Sequence, residues 1–177
     1  MRRRVILAAM LFTATTLGLC LSCGSSEPAQ FVTYTDEENG FSIDYPENWA
    51  VEPKTSSELK VAIWSSGIGV NAASIMVGKY EASGYNLQSF SEYRRNYLAD
   101  NIDDYAAVST EESIINGRPV IQHTYTETVS LTTYIKLEVY FFESETGWIV
   151  CFPCPQKSFN SYESTFDIAL ESFRLLD

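Results

Sequence analysis

Four cysteines, a single histidine and a scatter of acids are the side chains through which this chain could do chemistry. His123 lies in "VIQHTYTE", on the same strand face as Ile121 and Tyr125. A general base needs a partner within hydrogen-bond reach, and one imidazole cannot make a multi-histidine zinc site. A structural role is therefore expected for it. Serines are plentiful, but no nucleophile-elbow pattern occurs. Ser65-Ser66-Gly67-Ile68-Gly69 lacks the lysine of a phosphate cradle and reads as a loop. Asp100, Asp103, Asp104, Glu111 and Glu112 are close in sequence, without the spacing of an EF-hand. They are expected to be solvated acids beyond a helix ending near Asn101. A calcium or magnesium site and a contact for a basic partner are the alternatives. Tyr45 and Trp49 could line a ligand groove; pinning the first hairpin to the sheet is the simpler expectation. Cys151 and Cys154, in "CFPCP", lie three residues apart. An extended strand separates such residues by roughly 10 Å, and a disulfide needs Cα atoms within about 7 Å. A bond there requires a turn, which Pro153 permits; two buried or free thiols are the other outcome. A redox-active pair is disfavoured, because such motifs usually open a helix and Pro155-Gln156-Lys157 follows.

The remaining two cysteines belong to the N-terminus. Arg2, Arg3 and Arg4 precede an uncharged run from Val5 to Leu21, and then Ser22-Cys23-Gly24-Ser25-Ser26 turns abruptly polar. Basic start, apolar middle and small-residue junction are the parts of a secretory signal. The run is at the short end for a spanning helix and contains three threonines and a glycine. The junction resembles a bacterial lipoprotein signal, in which a small residue precedes the cysteine that becomes the lipidated N-terminus. Cys23, after Ser22, suits that role better than Cys20, which follows the bulky Leu19. The expected organisation is a signal over residues 1–22, a lipidated tether over 23–30 and one folded domain over 31–177.

The formal net charge is −11, and loss of the three-arginine signal makes it three units more negative. That balance argues against nucleic acid, whose phosphates would be repelled. It also argues against lying flat on anionic lipid, so the membrane tie should be the acyl chains alone. No cofactor motif is found.

These groups must be positioned by alternating strands and two amphipathic helices. Phe31–Thr35 and Phe41–Tyr45 flank a polar turn and predict a hairpin, which Pro46 ends. Extended structure resumes at Trp49 and Val51 and returns at Val61–Trp64 and Ala72–Tyr80. Leu87, Phe90, Tyr97, Leu98 and Tyr105 recur at helical spacing and predict one buried stripe. Val108–Ile115 and Val120–Thr128 are split by Asn116-Gly117-Arg118-Pro119, a turn signal. In Leu131–Phe142 the residues Thr133, Ile135, Leu137, Val139 and Phe141 share one face, and Tyr134, Lys136, Glu138 and Tyr140 the other. Gly147 is expected to close a turn into Trp148–Phe152. A last helix from about Asn160, capped by Asn160 with Glu163 in the reciprocal position, would bury Tyr162, Phe166, Ala169, Leu170 and Phe173. The order is α+β with a mainly antiparallel sheet.

"GFSIDYPENW", "INGRPVIQHTY" and "TFDIALESFRLL" resemble, in that order, the opening hairpin, the mid-domain hairpin and the closing helix of PsbP-like domains (PsbP/DcrB-type). The resemblance covers nearly all of residues 31–177. It implies a three-layer α/β/α sandwich with a central antiparallel sheet. Its members include the extrinsic PsbP subunit of photosystem II, bacterial envelope lipoproteins and a relative that binds the GTPase Ran; they share protein binding and no common catalytic site. The resulting expectation is a membrane-anchored extracytoplasmic lipoprotein, non-catalytic, binding an envelope protein partner. Small-ligand or metal-ion binding is the first alternative, and an envelope enzyme without a visible signature the second.

Overall fold

The structure is a computed structural model that describes residues 30–65 and 72–176. The expected signal, with Cys20 and Cys23, and all but the first residue of the Ser65–Gly69 stretch lie outside the described residues. The elements run β1 Phe31–Asp36, β2 Phe41–Pro46, β3 Ala50–Pro53, β4 Leu59–Trp64, β5 Ser74–Glu81, α1 Leu87–Asn101, β6 Ala106–Ile115, β7 Arg118–Val129, β8 Thr132–Glu143, β9 Thr146–Pro155, α2 Phe159–Ser172 and β10 Arg174–Leu175.

Seven strands form one sheet in the order β3-β4-β5-β9-β8-β7-β6, and β1-β2-β10 form a second, small sheet. The pairings are antiparallel throughout. Successive side chains of a strand point to opposite faces, so the large sheet carries two separate cores. On one face Val61, Ile63, Ile75, Val77, Val139, Val150 and Phe152 pack against Phe166 and Leu170 of α2 and against Phe41 and Ile43 of the small sheet. On the other, Ile121, Tyr140 and Ile149 pack against Phe90 of α1. The layers are therefore α1, the large sheet, and α2 side by side with the small sheet. All of these buried side chains fall between Phe41 and Phe173, so a fragment starting at Gln30 carries both cores whole.

Two-residue turns join β6 to β7, β7 to β8 and β8 to β9. Asn116 and Gly117 take positive φ (53° and 77°), the backbone that matches hairpin twist. The Asn116 amide also donates to the carbonyls of Glu171 and Phe173 (3.0 and 3.2 Å), tying that turn to the end of α2. The other two turns use Ser130-Leu131 and Ser144-Glu145, all at positive φ. Leu131 is thus a fully exposed turn residue and not the first residue of a strand.

Gly147 is likewise not in a turn. It pairs with Phe142 and Tyr80 inside the sheet, beneath the ring of Phe90. A Cβ there would fall closer to three carbons of that ring than real Cβ contacts allow. Phe90 cannot step aside, because Tyr80, Tyr140 and Phe142 hold it at centroid distances of 6.0, 6.2 and 6.3 Å. Gly147→Ala should therefore destabilise the domain by about 1–3 kcal/mol, read as a lower urea midpoint. An unchanged midpoint would mean that α1 can lift off the sheet at no cost.

The two helices start in different ways. Asn86 caps α1: its Oδ1 accepts from the Ser89 N–H and its own N–H donates to Ser89 Oγ, both at 2.9 Å. Asn160 does not cap α2. The chain enters that helix from a 3-10 turn over Gln156–Ser158, and Ser158 makes no side-chain cap bond. Backbone already wound when it arrives leaves Asn160 one residue inside the helix.

Candidate functional site: the cleft beside α1

Seven strands at about 4.8 Å spacing present a face roughly 29 Å wide, whereas one helix is about 10–12 Å across. α1 lies over β7 and β8. The neighbouring part of the same face, over β4, β5 and β9, is left open as a cleft of about 490 Å³. Its walls include Trp64, Met76, Tyr134, Ile149 and Pro153, with Leu98 on the helix side.

Four charged side chains enter this apolar setting, and they come in pairs. Arg94 Nη2 is 3.5 Å from Glu138 Oε1, with side-chain exposures of 12% and 5%. Lys136 pairs with Glu127 along the sheet. Tyr140 donates to Glu138 Oε2 at 2.9 Å and Tyr125 to Oε1 at 3.3 Å. The Arg94 guanidinium also lies 5.0 Å from the Tyr80 ring and 5.4 Å from the Tyr97 ring. Burial alone would lower the Arg94 pKa, but Glu138 and the surrounding phenols reverse this and keep it charged. Burial pushes the phenols of Tyr125 and Tyr140 up, and Glu138 adds to both; they stay protonated and act as donors. Two polar atoms lining the cleft are left over: Arg94 Nε and Ser74 Oγ are buried without a hydrogen-bond partner.

Cys151 faces this cleft, and Cys154 belongs to the opposite core. β9 runs straight through both, so no turn brings them together and both are free thiols. The disulfide that a turn at Pro153 would have allowed is not formed, because Pro153 sits within the strand opposite Lys136. Burial, aided by Glu138, pushes the Cys151 thiol well above its ordinary range, and burial takes Cys154 to about 11. Neither is a thiolate at neutral pH, which leaves no nucleophile or redox pair there.

His123 is fully buried beside the cleft. Its Nδ1 lies 3.0 Å from the Ser109 carbonyl. A carbonyl only accepts, so the proton sits on Nδ1, which also reaches Thr110 Oγ1 at 2.8 Å. Nε2 then accepts from the Tyr105 hydroxyl at 2.7 Å, and the ring stacks on Tyr125 with centroids 5.5 Å apart. Both nitrogens are occupied by structural bonds, which latch the segment after α1 onto β6 and β7. Tyr105 is thus part of this latch and not of the α1 stripe. Burial lowers the His123 pKa below 6.5; Arg95 adds to this and the Ser109 bond opposes it. The unfolded imidazole takes a proton near 6.5, the folded one only at lower pH. Stability should therefore be full above about pH 6.5 and fall as pH drops through the folded value. Urea midpoints at pH 7.5 and 5 should show this loss in the wild type and less of it in His123→Gln. Equal losses would place the titration elsewhere.

The other expected site residues are separated. Trp49 is 8% exposed and meets Tyr162 of α2 edge-on at 5.8 Å, so it pins the start of the domain to α2, on the face away from the cleft. Tyr45 is partly buried against the same core. Asp100, Asp103 and Asp104 are exposed at and after the end of α1, which stops at Asn101. Glu111 and Glu112 are exposed on the edge strand β6. Among the described residues no three His, Cys, Asp or Glu side chains come together as a metal site would need. Ser65 is a clasp: its Oγ accepts from the Ala73 N–H at 3.0 Å.

The cleft itself was the part sequence reasoning missed. Its signal was Arg94, four residues after Phe90 and four before Leu98, a charge at a buried-stripe position. The tyrosines and charges alternating on the even face of β8 were its counterpart.

One large antiparallel sheet, with a helix on one face and a helix plus a small sheet on the other, defines the PsbP-like fold. Solved structures bear this out. The solution structure of cyanobacterial PsbP, CyanoP, from Synechocystis sp. is similar over 89% of this chain and 99% of its own, at TM-score 0.64 and 18% identity. LpqN of Mycobacterium tuberculosis, described as involved in cell envelope biogenesis, is similar over 84% and 91%, at TM-score 0.59 and 10% identity. A Pseudomonas aeruginosa protein of unknown function, described as a putative regulator, is similar over 80% and 94%, at TM-score 0.59 and 10% identity. No family model and no curated protein matches the chain. No helix among the described residues is long and apolar enough to cross a membrane.

Proposed function

We propose that this chain is an extracytoplasmic lipoprotein, anchored through Cys23, that works by non-covalent docking to an envelope protein and carries no cofactor. The observation that carries the docking reading is a group of exposed tyrosines before and along α1. Tyr85, Tyr93 and Tyr97 are 41%, 51% and 47% exposed, and the Tyr85 and Tyr93 rings lie 5.7 Å apart. Tyrosine offers large contact area at low entropic cost and is enriched at binding hot spots. Asp100, Asp103 and Asp104 continue the flank, so the fitting partner presents a basic face. The occupied nitrogens of His123 and the protonated thiols support a non-catalytic role. The arginine-rich start, the apolar run and Ser22-Cys23 support the anchor, and LpqN's role in envelope biogenesis fits the same compartment. Seven residues from Gly24 to Gln30 span at most about 25 Å, which keeps the domain near the membrane.

Crosslinking in intact cells should trap one envelope protein. Its recapture by the purified domain should weaken from low to high salt and weaken further in Tyr93→Ala/Tyr97→Ala. Recapture that neither change affects would contradict docking through this flank. Cys23→Ser should block lipid processing, and mass spectrometry of the wild-type N-terminus should find a diacylglyceryl group on Cys23. A lipid on Cys20, or an intact Met1, would contradict the anchor.

A further inference from the structure

The α1 cleft borders the exposed tyrosines at Tyr97, whose ring lies against Arg94, but its interior is built differently. Its floor is electrically balanced: Arg94 is matched by Glu138 and Lys136 by Glu127. A ligand with net charge would meet one repelling partner for every attracting one and would lose its hydration on entry. Two residues that line the cleft nevertheless each keep a buried donor without a partner, Arg94 Nε and Ser74 Oγ. Ser74 is only 1% exposed, and a buried donor without a partner carries a cost that an accepting atom removes. Aromatic and aliphatic walls supply the rest of the surface: Trp64, Met76, Tyr134 and Ile149. Val129, at the rim, is 46% exposed. The cavity has the size and the few convergent polar groups of a small-molecule site.

We propose that this cleft binds an uncharged, largely apolar molecule carrying accepting oxygens, carbonyl or ether, that reach the buried hydrogens of Ser74 Oγ and Arg94 Nε as the two side chains turn toward it. The apolar body covers the open face of β4, β5 and β9 that α1 does not reach. The two sites share α1 and meet at Tyr97, whose ring lies 5.4 Å from the Arg94 guanidinium, but the cleft is lined by a different set of side chains from Tyr85 and Tyr93.

The test uses the fragment from Gln30 and two dyes. Nile red is planar and uncharged, with a carbonyl acceptor; anilinonaphthalene sulfonate has a comparable aromatic body and a fixed negative charge. Nile red should bind saturably at one site per chain, at least about tenfold tighter than the sulfonate. Ser74→Ala removes one donor and hardly alters shape, so it should weaken Nile red about five- to tenfold, the worth of one neutral hydrogen bond. It should not lower the urea midpoint, since an unserved hydroxyl contributes nothing to the fold. Met76→Trp fills the cleft and should abolish binding, with the far-ultraviolet spectrum retained. Absence of saturable Nile red binding, equal or tighter binding of the sulfonate, or binding untouched by both substitutions would overturn the proposal. In the last case water alone serves the two donors and the dye sits elsewhere. None of these outcomes bears on crosslinking or salt dependence at α1's outer flank.

Discussion

Glu138→Ala should lower the unfolding free energy by about 3–5 kcal/mol. The substitution strands three groups at once. Arg94 loses the counter-charge that keeps its guanidinium acceptable in the interior, and the hydroxyls of Tyr125 and Tyr140 lose their acceptor. The cost arises from what is left behind and not from the net worth of the pair. Replacing both partners, Arg94→Met with Glu138→Leu, should cost less than Glu138→Ala alone, because the stranded charge is gone and only the two phenols stay unserved. Urea unfolding of the wild type and the two variants reads the difference. A Glu138→Ala loss below about 1 kcal/mol would mean that water enters freely and the pair is effectively solvated.

Trp49→Ala should cost about 3–5 kcal/mol as well, for a different reason: it empties a large volume between the start of the domain and α2. Trp49 belongs to the core shared by the small sheet, the large sheet and α2. The Phe41 and Phe173 rings sit in the same layer, 6.1 Å apart. Loss of this ring should loosen the small sheet first. An unaltered urea midpoint would place Trp49 on the surface and restore it as a ligand-groove residue.

The residues that made the fold legible were those whose periodicity has one meaning. Leu137, Val139 and Phe141 alternate with Lys136, Glu138 and Tyr140, and the structure sends the two sets to opposite faces of β8. Asn116-Gly117 is a hairpin turn by chemistry, because both residues tolerate positive φ. The turns at Ser130-Leu131 and Ser144-Glu145 carry no such mark. Their conformation is imposed by flanking strands whose pairing outweighs a local strain of about 1–2 kcal/mol per residue. Pattern alone therefore places Leu131 in a strand and Gly147 in a turn. The reason for Gly147 is the Phe90 ring, some 57 positions away in sequence, and no local pattern encodes a contact of that range.

The cleft was hidden for a related reason. Helical spacing of apolar residues places Tyr97 and Tyr105 on the buried face of α1. The structure exposes Tyr97, takes Tyr105 to His123, and puts Arg94 on the inner side. Burial of that arginine depends on Glu138, Tyr125 and Tyr140 arriving from two other strands. The conditional disulfide failed on geometry that was calculable, the extended spacing of Cys151 and Cys154; only the turn was in question.

The exposed tyrosines of α1 are the proposed contact between this domain and its partner. The most direct measurement places a photo-crosslinking amino acid at Tyr93 and, in a second strain, at Asp167, which is exposed on α2 across the sheet. Illumination of intact cells should give one adduct with an envelope protein from position 93 and none from position 167. An adduct from position 167 alone, or the same adduct from both, would contradict docking through α1.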